Sequence, residues 1–358
     1  MAMIETEIYR RKSSRSVFDR QDLAELVARY GAPLYVFSET ALKDNVRSIL
    51  EKFRAYHPKT SVYYAANFES VVANLQIIRS AGCNLEVNSA GELYKGIFAG
   101  FRGNRILFNG AGKFDDEIEI AIINNVKSIN ADSELELKKI ADIAAGLRKR
   151  ADVSISITPK EVESGTVERM VRYALQNPEW ISLKGYCFNS GIKFYRLKPL
   201  ISALKEMLEL AVHIYTRTGY RPDLLNIGGG LPMPSVEESA KELCAELSEE
   251  KVMEWAGEKN AGLFKDTELI LEPGRKIAAS VGILLPGTRR KREMDLQEPA
   301  EAVPLITLTD LSTCCTAGIP GRNEKVRGEI ILIREDGQII PIKPAQKYGD
   351  LIREKVKP

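Results

Sequence analysis

The fold is decided by the stretch SVYYAANFESVVANLQIIRSAGCNLEV, residues 61–87. It begins with an apolar, aromatic run at 61–64 and ends with a second apolar run at 84–87. Between these runs, residues 70–82 carry apolar side chains at helical spacing and end at Gly82, and glycine commonly ends a helix. The stretch therefore predicts a strand, a helix and a second strand, which is the repeating unit of an α/β protein.

The same alternation continues along the chain. The helix predicted at 133–150 opens with Ser133 and has Glu136 three residues later, which is the pattern of a capping box. A doubly wound sheet would need a glycine fingerprint after its first strand, and residues 62–70 have none. Strand–helix units about 22 residues apart fit a (β/α)8 TIM-type barrel better. The further strands are predicted at 105–108, 128–131, 153–157, 181–188, 224–227 and 268–271.

The two ends of the chain follow a different pattern. A helix at 22–31 and a strand at 33–37 come before the alternation, which stops after about residue 280. We therefore predict a barrel at 38–280 and a C-terminal β domain, incomplete in this sequence, that includes the N-terminal strand and comprises 1–37 and 281–358. Its later strands are predicted at 304–311, 328–336 and 338–343, with a hairpin turn at Asp336-Gly337.

Composition excludes several classes of function. Of the 358 residues, 44% are hydrophobic and 28% charged, and the net charge of +2 gives no basic field for nucleic acid. No apolar run reaches the ~18 residues that cross a bilayer, and the charged N-terminus is unlike a secretory signal. We expect a cytoplasmic protein without a nucleic-acid or membrane partner. The two histidines and the five scattered cysteines predict neither a metal site nor a disulfide framework.

Candidate site residues follow the predicted strands, because barrel active sites lie at the carboxyl ends of the strands. The seventh strand ends in Gly228, Gly229 and Gly230, whose backbone N–H groups are open to a phosphate, although three glycines also suit a tight turn. The eighth strand ends in LEPGR at 271–275, which contains Glu272, Gly274 and Arg275. A carboxylate there favours a protonated ring nitrogen and an arginine favours a phosphate, although exposed charges at a turn are the alternative.

Six motifs in order resemble a known family, the fold-type III pyridoxal-phosphate decarboxylases, and among them most closely the diaminopimelate decarboxylases. The motifs are GAPLYVF (31–37), NSAGELYKGIFAGF (88–101), FNGAGK (108–113), INADSELEL (129–137), IGGGLPMPS (227–235) and LEPGR (271–275). The resemblance implies a barrel with a C-terminal β domain, a pyridoxal 5′-phosphate cofactor, and a homodimer whose active sites lie at the subunit interface. It also implies a lysine at the end of the first barrel strand that holds the cofactor as a Schiff base.

The resemblance assigns further roles to residues of this chain. Glu272 would face the ring nitrogen, and Gly228–Gly230, Gly274 and Arg275 would lie at the cofactor phosphate. Asn189 occupies the position of a family histidine on the cofactor face. Cys315, or alternatively Cys314, would enter the active site of the partner subunit as the catalytic cysteine.

The chain also departs from the family pattern. The family has Tyr-Ala-any-Lys-Ala-Asn at the first strand, whereas here Ala66-Asn67 follow Ala65 without a lysine. Ser156 stands where the family has an arginine. One explanation is a relative that has lost its lysine. The other, which we favour, is that a cofactor-bearing lysine and several loops are missing from the sequence as read, so that a break falls between Ala65 and Ala66.

We therefore predict a cytoplasmic, homodimeric, pyridoxal-phosphate-dependent amino-acid carboxy-lyase that resembles diaminopimelate decarboxylase and would serve lysine biosynthesis. Two alternatives lie within the family. The first is a decarboxylase of ornithine, lysine or a carrier-bound glutamyl group, and the second is a catalytically inactive regulatory homologue. An unrelated phosphate-binding barrel enzyme is the third alternative.

Overall fold

A computed structural model describes residues 20–31, 34–157, 165–188, 197–229, 236–279, 281–285, 309–310, 329–333 and 339–342. The chain forms two compact units, one of residues Leu42–Ala278 and one of Met1–Ala41 with Ala279–Pro358. The predicted domain boundaries, after residues 37 and 280, stay a prediction.

The strands are β1 (Leu34–Ser38), β2 (Thr60–Ala65), β3 (Asn84–Val87), β4 (Ile106–Phe108), β5 (Ser128–Ala131), β6 (Ala151–Ile157), β7 (Ile181–Phe188), β8 (Leu224–Asn226), β9 (Glu268–Leu271), β10 (Gly282–Leu285), β11 (Thr309–Asp310), β12 (Glu329–Ile333) and β13 (Ile339–Ile342). The α-helices are α1 (Arg20–Tyr30), α2 (Glu39–Tyr56), α3 (Val72–Ser80), α4 (Ala90–Phe98), α5 (Asp115–Ile123), α6 (Glu134–Leu147), α7 (Thr166–Gln176), α8 (Leu197–Thr218), α9 (Val236–Glu246), α10 (Glu249–Ala256) and α11 (Arg275–Ala278). None of these helices combines the length and apolarity needed to cross a membrane.

The larger unit is built on a closed barrel. Strands β2 to β9 pair in sequence order, all neighbours are parallel, and β2 also pairs with β9. Parallel neighbours need a crossover between them, and the helices that alternate with the strands provide it. The predicted (β/α)8 barrel is confirmed.

The first strand–helix–strand unit shows how the sequence produces this arrangement. The helix α3 buries Leu75, Ile77 and Ile78. It ends before Gly82, whose φ of +93° lies in the left-handed region that favours glycine. The amide of Gly82 donates to the carbonyl of Arg79 at 3.1 Å, so the turn also satisfies a carbonyl at the end of the helix.

The smaller unit contains a five-stranded sheet in the order β11-β10-β1-β12-β13. Strand β1 lies in its centre, antiparallel to β10 and parallel to β12, so the predicted participation of the N-terminal strand is confirmed. Leu23 and Leu26 of α1 pack against Leu34 and Val36 of β1. Strands β12 and β13 are antiparallel neighbours, whereas the predicted turn at Asp336-Gly337 lies outside the described residues.

Candidate active site

Eight inward-facing residues lie at or near the carboxyl ends of the eight barrel strands, and we call this set the mouth ring. Tyr63, Leu107, Leu224 and Ile270 pack together in the barrel interior below it. Because side chains alternate along a strand and register partners share a face, the ladders assign the inward positions within the strands. Asn109 and Glu272, each one residue past its strand, are placed by their mutual hydrogen bond. The members of the mouth ring are Ala65, Glu86, Asn109, Asn130, Ser156, Cys187, Asn226 and Glu272.

Glu272 follows β9 and is fixed in the mouth ring by two amides. Asn109 Nδ2 donates to Glu272 Oε1 at 2.8 Å, and Asn226 Nδ2 donates to the same oxygen at 2.6 Å. The side chain is 7% exposed, and burial raises its pKa above the ordinary glutamate value, although the two amides partly oppose this. Two neutral donors on one oxygen orient the carboxyl group without neutralising it.

Glu86 of β3 is a second buried carboxyl group of the ring, and it is only 3% exposed. Burial, followed by the charge of Glu272, raises the pKa of Glu86 well above its ordinary value. Hydrogen bonding from Asn88 and Asn109 acts in the opposite direction. Glu86 lies within the stretch 61–87 on which the sequence analysis opens, but it was not identified there as a site residue.

Ala65 is the last residue of β2, and a lysine was expected directly after it. The chain runs directly from Ala65 to Ala66, and the Ala66 amide donates to the carbonyl of Glu86 at 3.0 Å. The ladder between β2 and β3, in which Ala65 is paired with Glu86, thus continues past the junction without an inserted residue. The lysine expected between Ala65 and Ala66 stays a prediction, and in the sequence as given Ala65 is the inward-facing residue at the end of the first barrel strand.

Gly228, Gly229 and Gly274 form close backbone approaches beside the ring. Gly228 has a φ of +73°, and a Cβ there would lie 2.8 Å from the carbonyl oxygen of Phe188. A Cβ on Gly229 would lie 2.9 Å from the carbonyl oxygen of Glu272, and one on Gly274 would lie 3.3 Å from the Cβ of Ala65. The sequence motifs GGG and LEPGR therefore meet at the barrel mouth.

Arg275 is the first residue of α11, directly after the Gly274 turn. It is half-buried, and within the described part of the chain it has neither a hydrogen-bond nor an ion-pair partner. A guanidinium group with its donors unused beside a glycine turn suits an anionic group such as a phosphate.

The remaining ring positions are neutral. Burial, followed by the charges of Glu272, Asp132 and Glu86, raises the pKa of Cys187 well above that of a free thiol, so its thiol keeps its proton. Ser156 is 2% exposed and stands at the position of the family arginine. The sequence analysis did not identify Asn109, Asn130 and Asn226 as site residues.

Four of the predicted site residues lie outside the described residues, namely Asn189, Gly230, Cys314 and Cys315. Of the remaining ones, the structure brings Gly228, Gly229, Glu272, Gly274 and Arg275 to the same end of the barrel.

The fold and this site define a barrel protein with an anion cradle and buried carboxyl groups at its mouth. The family model "Pyridoxal-dependent decarboxylase, pyridoxal binding domain" matches residues 43–279, and the chain belongs to this family. The predicted family, its pyridoxal phosphate cofactor and its carboxy-lyase class are thereby confirmed.

Individual relatives agree with the family match. The chain is 28% identical over 298 residues to a diaminopimelate decarboxylase of Methanocaldococcus jannaschii, covering 76% of this chain and 67% of the relative. It is 28% identical over 367 residues to one of Neisseria meningitidis serogroup B, covering 90% of this chain and 85% of the relative. The alignment with one of Bacillus methanolicus covers 66% of that relative's length.

A solved structure of diaminopimelate decarboxylase from M. jannaschii has a similar fold. The TM-score is 0.74 at 22% identity, over 93% of this chain and 94% of that chain.

The residues at the mouth fit pyridoxal phosphate in part. Glu272 suits a protonated ring nitrogen, and the glycine turns suit a phosphate together with Arg275, which has no partner among the described residues. Ala65 has no amine with which to bind the cofactor covalently. The site therefore fits a cofactor that is held without a bond to residue 65.

Proposed function

We propose that this chain binds pyridoxal phosphate non-covalently at the mouth ring and acts as an amino-acid carboxy-lyase related to the diaminopimelate decarboxylases. The observation that carries the proposal is Glu272, a buried carboxyl group held by Asn109 and Asn226 and placed beside the Gly228–Gly229 turn. In this arrangement Glu272 holds the proton of the ring nitrogen, and Arg275 pairs with the phosphate.

The substrate class proposed is an amino acid with a second amino group. When bound, pyridoxal phosphate would supply an electron sink that stabilises the electron pair left on the substrate carbon as carbon dioxide departs. The residues of the chain bind and orient the substrate, because Glu86 and Asn130 present acceptor oxygens to its amino groups. The protonated thiol of Cys187 is a proton-bearing group of the mouth ring. A solved M. jannaschii diaminopimelate decarboxylase is complexed with L-lysine, which supports a basic amino acid as the ligand class.

The test is carbon dioxide release from meso-diaminopimelate, L-ornithine, L-lysine and a panel of other amino acids in the presence of pyridoxal phosphate. We expect release from at least one dibasic substrate. It should fall about 10- to 100-fold in Glu272→Gln, which loses a charge-assisted hydrogen bond to the ring nitrogen. Pyridoxal phosphate binding without any release would reject the reaction and keep the cofactor site, whereas absence of both would reject the proposal.

A second candidate function is a catalytically inactive regulatory homologue, and Ala65 is the observation that favours it. The family lysine is absent after Ala65 and Ser156 stands at the position of the family arginine, so neither basic residue of the family pattern is present at these two positions. This candidate predicts cofactor binding without turnover, and formation of a mixed dimer with an active relative in a co-purification experiment.

We also propose that the protein is cytoplasmic and forms a homodimer in which Cys315, or Cys314, completes the site of the partner. The likeness to family members, which are usually homodimers, supports this. Light scattering of the full chain tests the dimer. Mixing Glu272→Gln with Cys315→Ala protein tests the shared site, because one intact site per mixed dimer should recover activity.

A further inference from the structure

Asn226 binds two parts of the candidate site with a single side-chain amide. Its Nδ2 donates to Glu272 Oε1 at 2.6 Å, and its Oδ1 accepts from the backbone amide of Gly228 at 2.9 Å. Asn226 is 2% exposed, so both hydrogen bonds lie in the protein interior. The backbone amide of Glu272 also donates to the carbonyl oxygen of Gly228 at 3.0 Å. Hydrogen bonds therefore join the carboxyl group to the glycine turn through Asn226.

The chemistry of its partners determines which way the Asn226 amide faces. A backbone N–H can only donate, so the amide oxygen faces Gly228 and the NH2 group faces Glu272. An NH2 group also only donates, so Glu272 Oε1 accepts from it, and it accepts from Asn109 Nδ2 at 2.8 Å as well. A proton on this carboxyl group therefore lies on Oε2, which has no hydrogen-bond partner among the described residues.

The same amide decides which N–H group of the glycine turn is open to a ligand. Gly228 is buried and its N–H is engaged by Asn226, so this N–H does not face a ligand. Gly229 is exposed, and within the residues that the structure describes its N–H has no partner. Open N–H groups at such turns bind anions. The turn thus presents the Gly229 amide to a phosphate, while Asn226 holds Gly228 from the interior side.

Resting on the proposed cofactor site, we propose that Asn226 is a positioning residue that sets the two anchors of the cofactor relative to each other. One anchor is Glu272 Oε2, which meets the ring nitrogen, and the other is the Gly229 amide, which meets the phosphate. Ring nitrogen and phosphate belong to one small molecule, so both anchors bind well only at a fixed separation. Asn226 contacts neither group itself and acts through Glu272 and Gly228.

Asn109 provides the comparison that separates the two halves of this role. It donates to the same carboxyl oxygen as Asn226, and in the described part of the chain it has no hydrogen bond to the glycine turn. Loss of Asn109 should therefore affect the ring-nitrogen anchor alone, whereas loss of Asn226 should affect both anchors. Leucine is the replacement at both positions, because it has the branched shape of asparagine without its donors or its acceptor.

The test is calorimetric titration of the full chain and both variants with three probes that carry no aldehyde and so do not condense with lysines. They are 4-deoxypyridoxine 5′-phosphate, its 1-deaza analogue, which lacks the ring nitrogen, and unphosphorylated 4-deoxypyridoxine. The affinity of the first probe relative to the second is the nitrogen preference, and its affinity relative to the third is the phosphate preference. Asn109→Leu should lower the nitrogen preference about fivefold, the effect of one hydrogen bond, and keep the phosphate preference. Asn226→Leu should lower both preferences about fivefold.

Hydrogen exchange of the ligand-free protein tests the link to the turn without a cofactor. The Gly228 amide should exchange about tenfold faster in Asn226→Leu than in the unmodified chain, and at the unmodified rate in Asn109→Leu. Asn226→Asp keeps an oxygen that accepts from the Gly228 amide, so this variant should keep both the slow exchange and the phosphate preference. Thermal melting checks the fold of each variant, and Asn226→Asp tests the link to the turn if Asn226→Leu does not fold.

Three results would overturn the inference and leave the cofactor site intact. A phosphate preference that survives in Asn226→Leu, or a Gly228 amide that exchanges equally slowly there, would reject the link to the turn. An equal loss of affinity for all three probes would mean that Asn226 has a structural role alone. If no probe binds the unmodified chain, the proposed function fails and the role of Asn226 at the cofactor fails with it.

Discussion

Ala65 and Glu86 are register partners on the ladder between β2 and β3, and both face the barrel interior. The last inward residue of the first barrel strand is thus an alanine beside a buried carboxyl group. A lysine at position 65 would extend from this strand end towards Glu86, which would accompany its ammonium group. Position 65 therefore lies beside a carboxyl group that would pair with a cationic side chain, which alanine does not provide.

The first prediction restores that cation. Ala65→Lys should allow the new amine to condense with the aldehyde of pyridoxal phosphate with loss of water, and borohydride should then fix the bond. The measurement is the mass of the reduced protein, which should increase by one cofactor per chain, with the label on the peptide that contains residue 65. Burial beside Glu86 also supplies a partner for the lysine charge, so the variant should fold.

Ala65→Met is the control, because methionine fills a similar space without an amine. It should give no labelled peptide. Absence of label at residue 65 in a folded Ala65→Lys protein would contradict the placement of this residue at the cofactor. Labelling of both proteins at another lysine would contradict it as well.

The second prediction concerns Arg275 and the phosphate. Arg275→Gln should weaken binding of pyridoxal 5′-phosphate about tenfold or more, because one charge-assisted pair is lost. Binding of unphosphorylated pyridoxal should be unaffected. Calorimetric titration of both compounds into both proteins gives a thermodynamic cycle of two ligands and two proteins. Equal losses of affinity for the two ligands in Arg275→Gln would show that Arg275 does not face the phosphate.

Most of the barrel was readable from the sequence because each strand is a compact apolar run between turn residues. The strands at 84–87, 128–131, 181–188 and 268–271 agree with β3, β5, β7 and β9 residue for residue. Glu272 and the glycines of 228–229 were found for the same reason, since a polar residue directly after such a run lies at the barrel mouth.

The members of the mouth ring could not be predicted from the sequence, because they depend on the register between strands that are far apart in sequence. Asn130 and Asn226 are interior only because the closed ladder sets them level with Ser154 and Cys187. Period-two alternation places each residue on one face, but which face is inside follows from closure of the barrel.

Local hydrogen bonding also overrode two sequence patterns. The apolar residues of 70–82 were expected to form the buried face of α3. Instead Asn74 is buried and its Nδ2 donates to Glu69 Oε2 at 2.8 Å, whereas Val71 and Val72 are half-buried. In α6 the predicted capping box is half formed. Ser133 accepts from the Glu136 amide at 3.1 Å, but the carboxylate of Glu136 is directed to Lys113.

The third prediction separates conformational cost from steric cost at the glycine turn. Gly228→Ala should destabilise the protein by more than the ~1–2 kcal/mol of a left-handed alanine, since its Cβ would also meet the Phe188 carbonyl oxygen. Gly219 is the matched control, with a φ of +74° and nothing within 4 Å of its Cβ position. Gly219→Ala should therefore cost the conformational part alone.

Urea unfolding measures both free energies, and pyridoxal phosphate titration distinguishes the sites. Only Gly228→Ala should weaken binding. Equal destabilisation of the two variants would show that the Phe188 contact relaxes freely.

The fourth prediction concerns the buried pair of Lys113 and Glu136. Lys113→Met should lower the free energy of unfolding by about 3–5 kcal/mol, because it leaves a buried carboxylate without its cation. Adding Glu136→Gln should recover part of the loss, since a neutral glutamine can still accept from the Asp132 amide, which lies 2.8 Å from the carboxylate. Lys265→Met, which breaks an exposed pair with Glu249, should leave the unfolding midpoint unchanged. A double variant less stable than Lys113→Met would contradict the electrostatic explanation.

The fifth prediction is a pH dependence that originates at Glu69. Burial raises the pKa of Glu69 to about 7, although hydrogen bonds from Asn74 and the Val71 amide and the charge of Lys95 partly oppose the rise. Because the folded-state pKa lies above the unfolded value, the protonated carboxyl stabilises the fold fully below the unfolded pKa of about 4.5. This stabilisation is lost as the pH rises through about 7. Relative to Glu69→Gln, the unmodified protein should therefore lose stability on the order of 3 kcal/mol between these limits.

The measurement is the free energy of urea unfolding of both proteins at several pH values between 4.5 and 8, without cofactor, with Glu119→Gln as the exposed control. The difference between the unmodified protein and Glu119→Gln should not change over this range. Glu69 lies close to the first barrel strand, since Tyr64 donates its hydroxyl to the Glu69 carbonyl oxygen at 3.0 Å. A stability difference that is flat with pH, or that rises with pH, would mean that Glu69 is ionised in the folded protein at neutral pH.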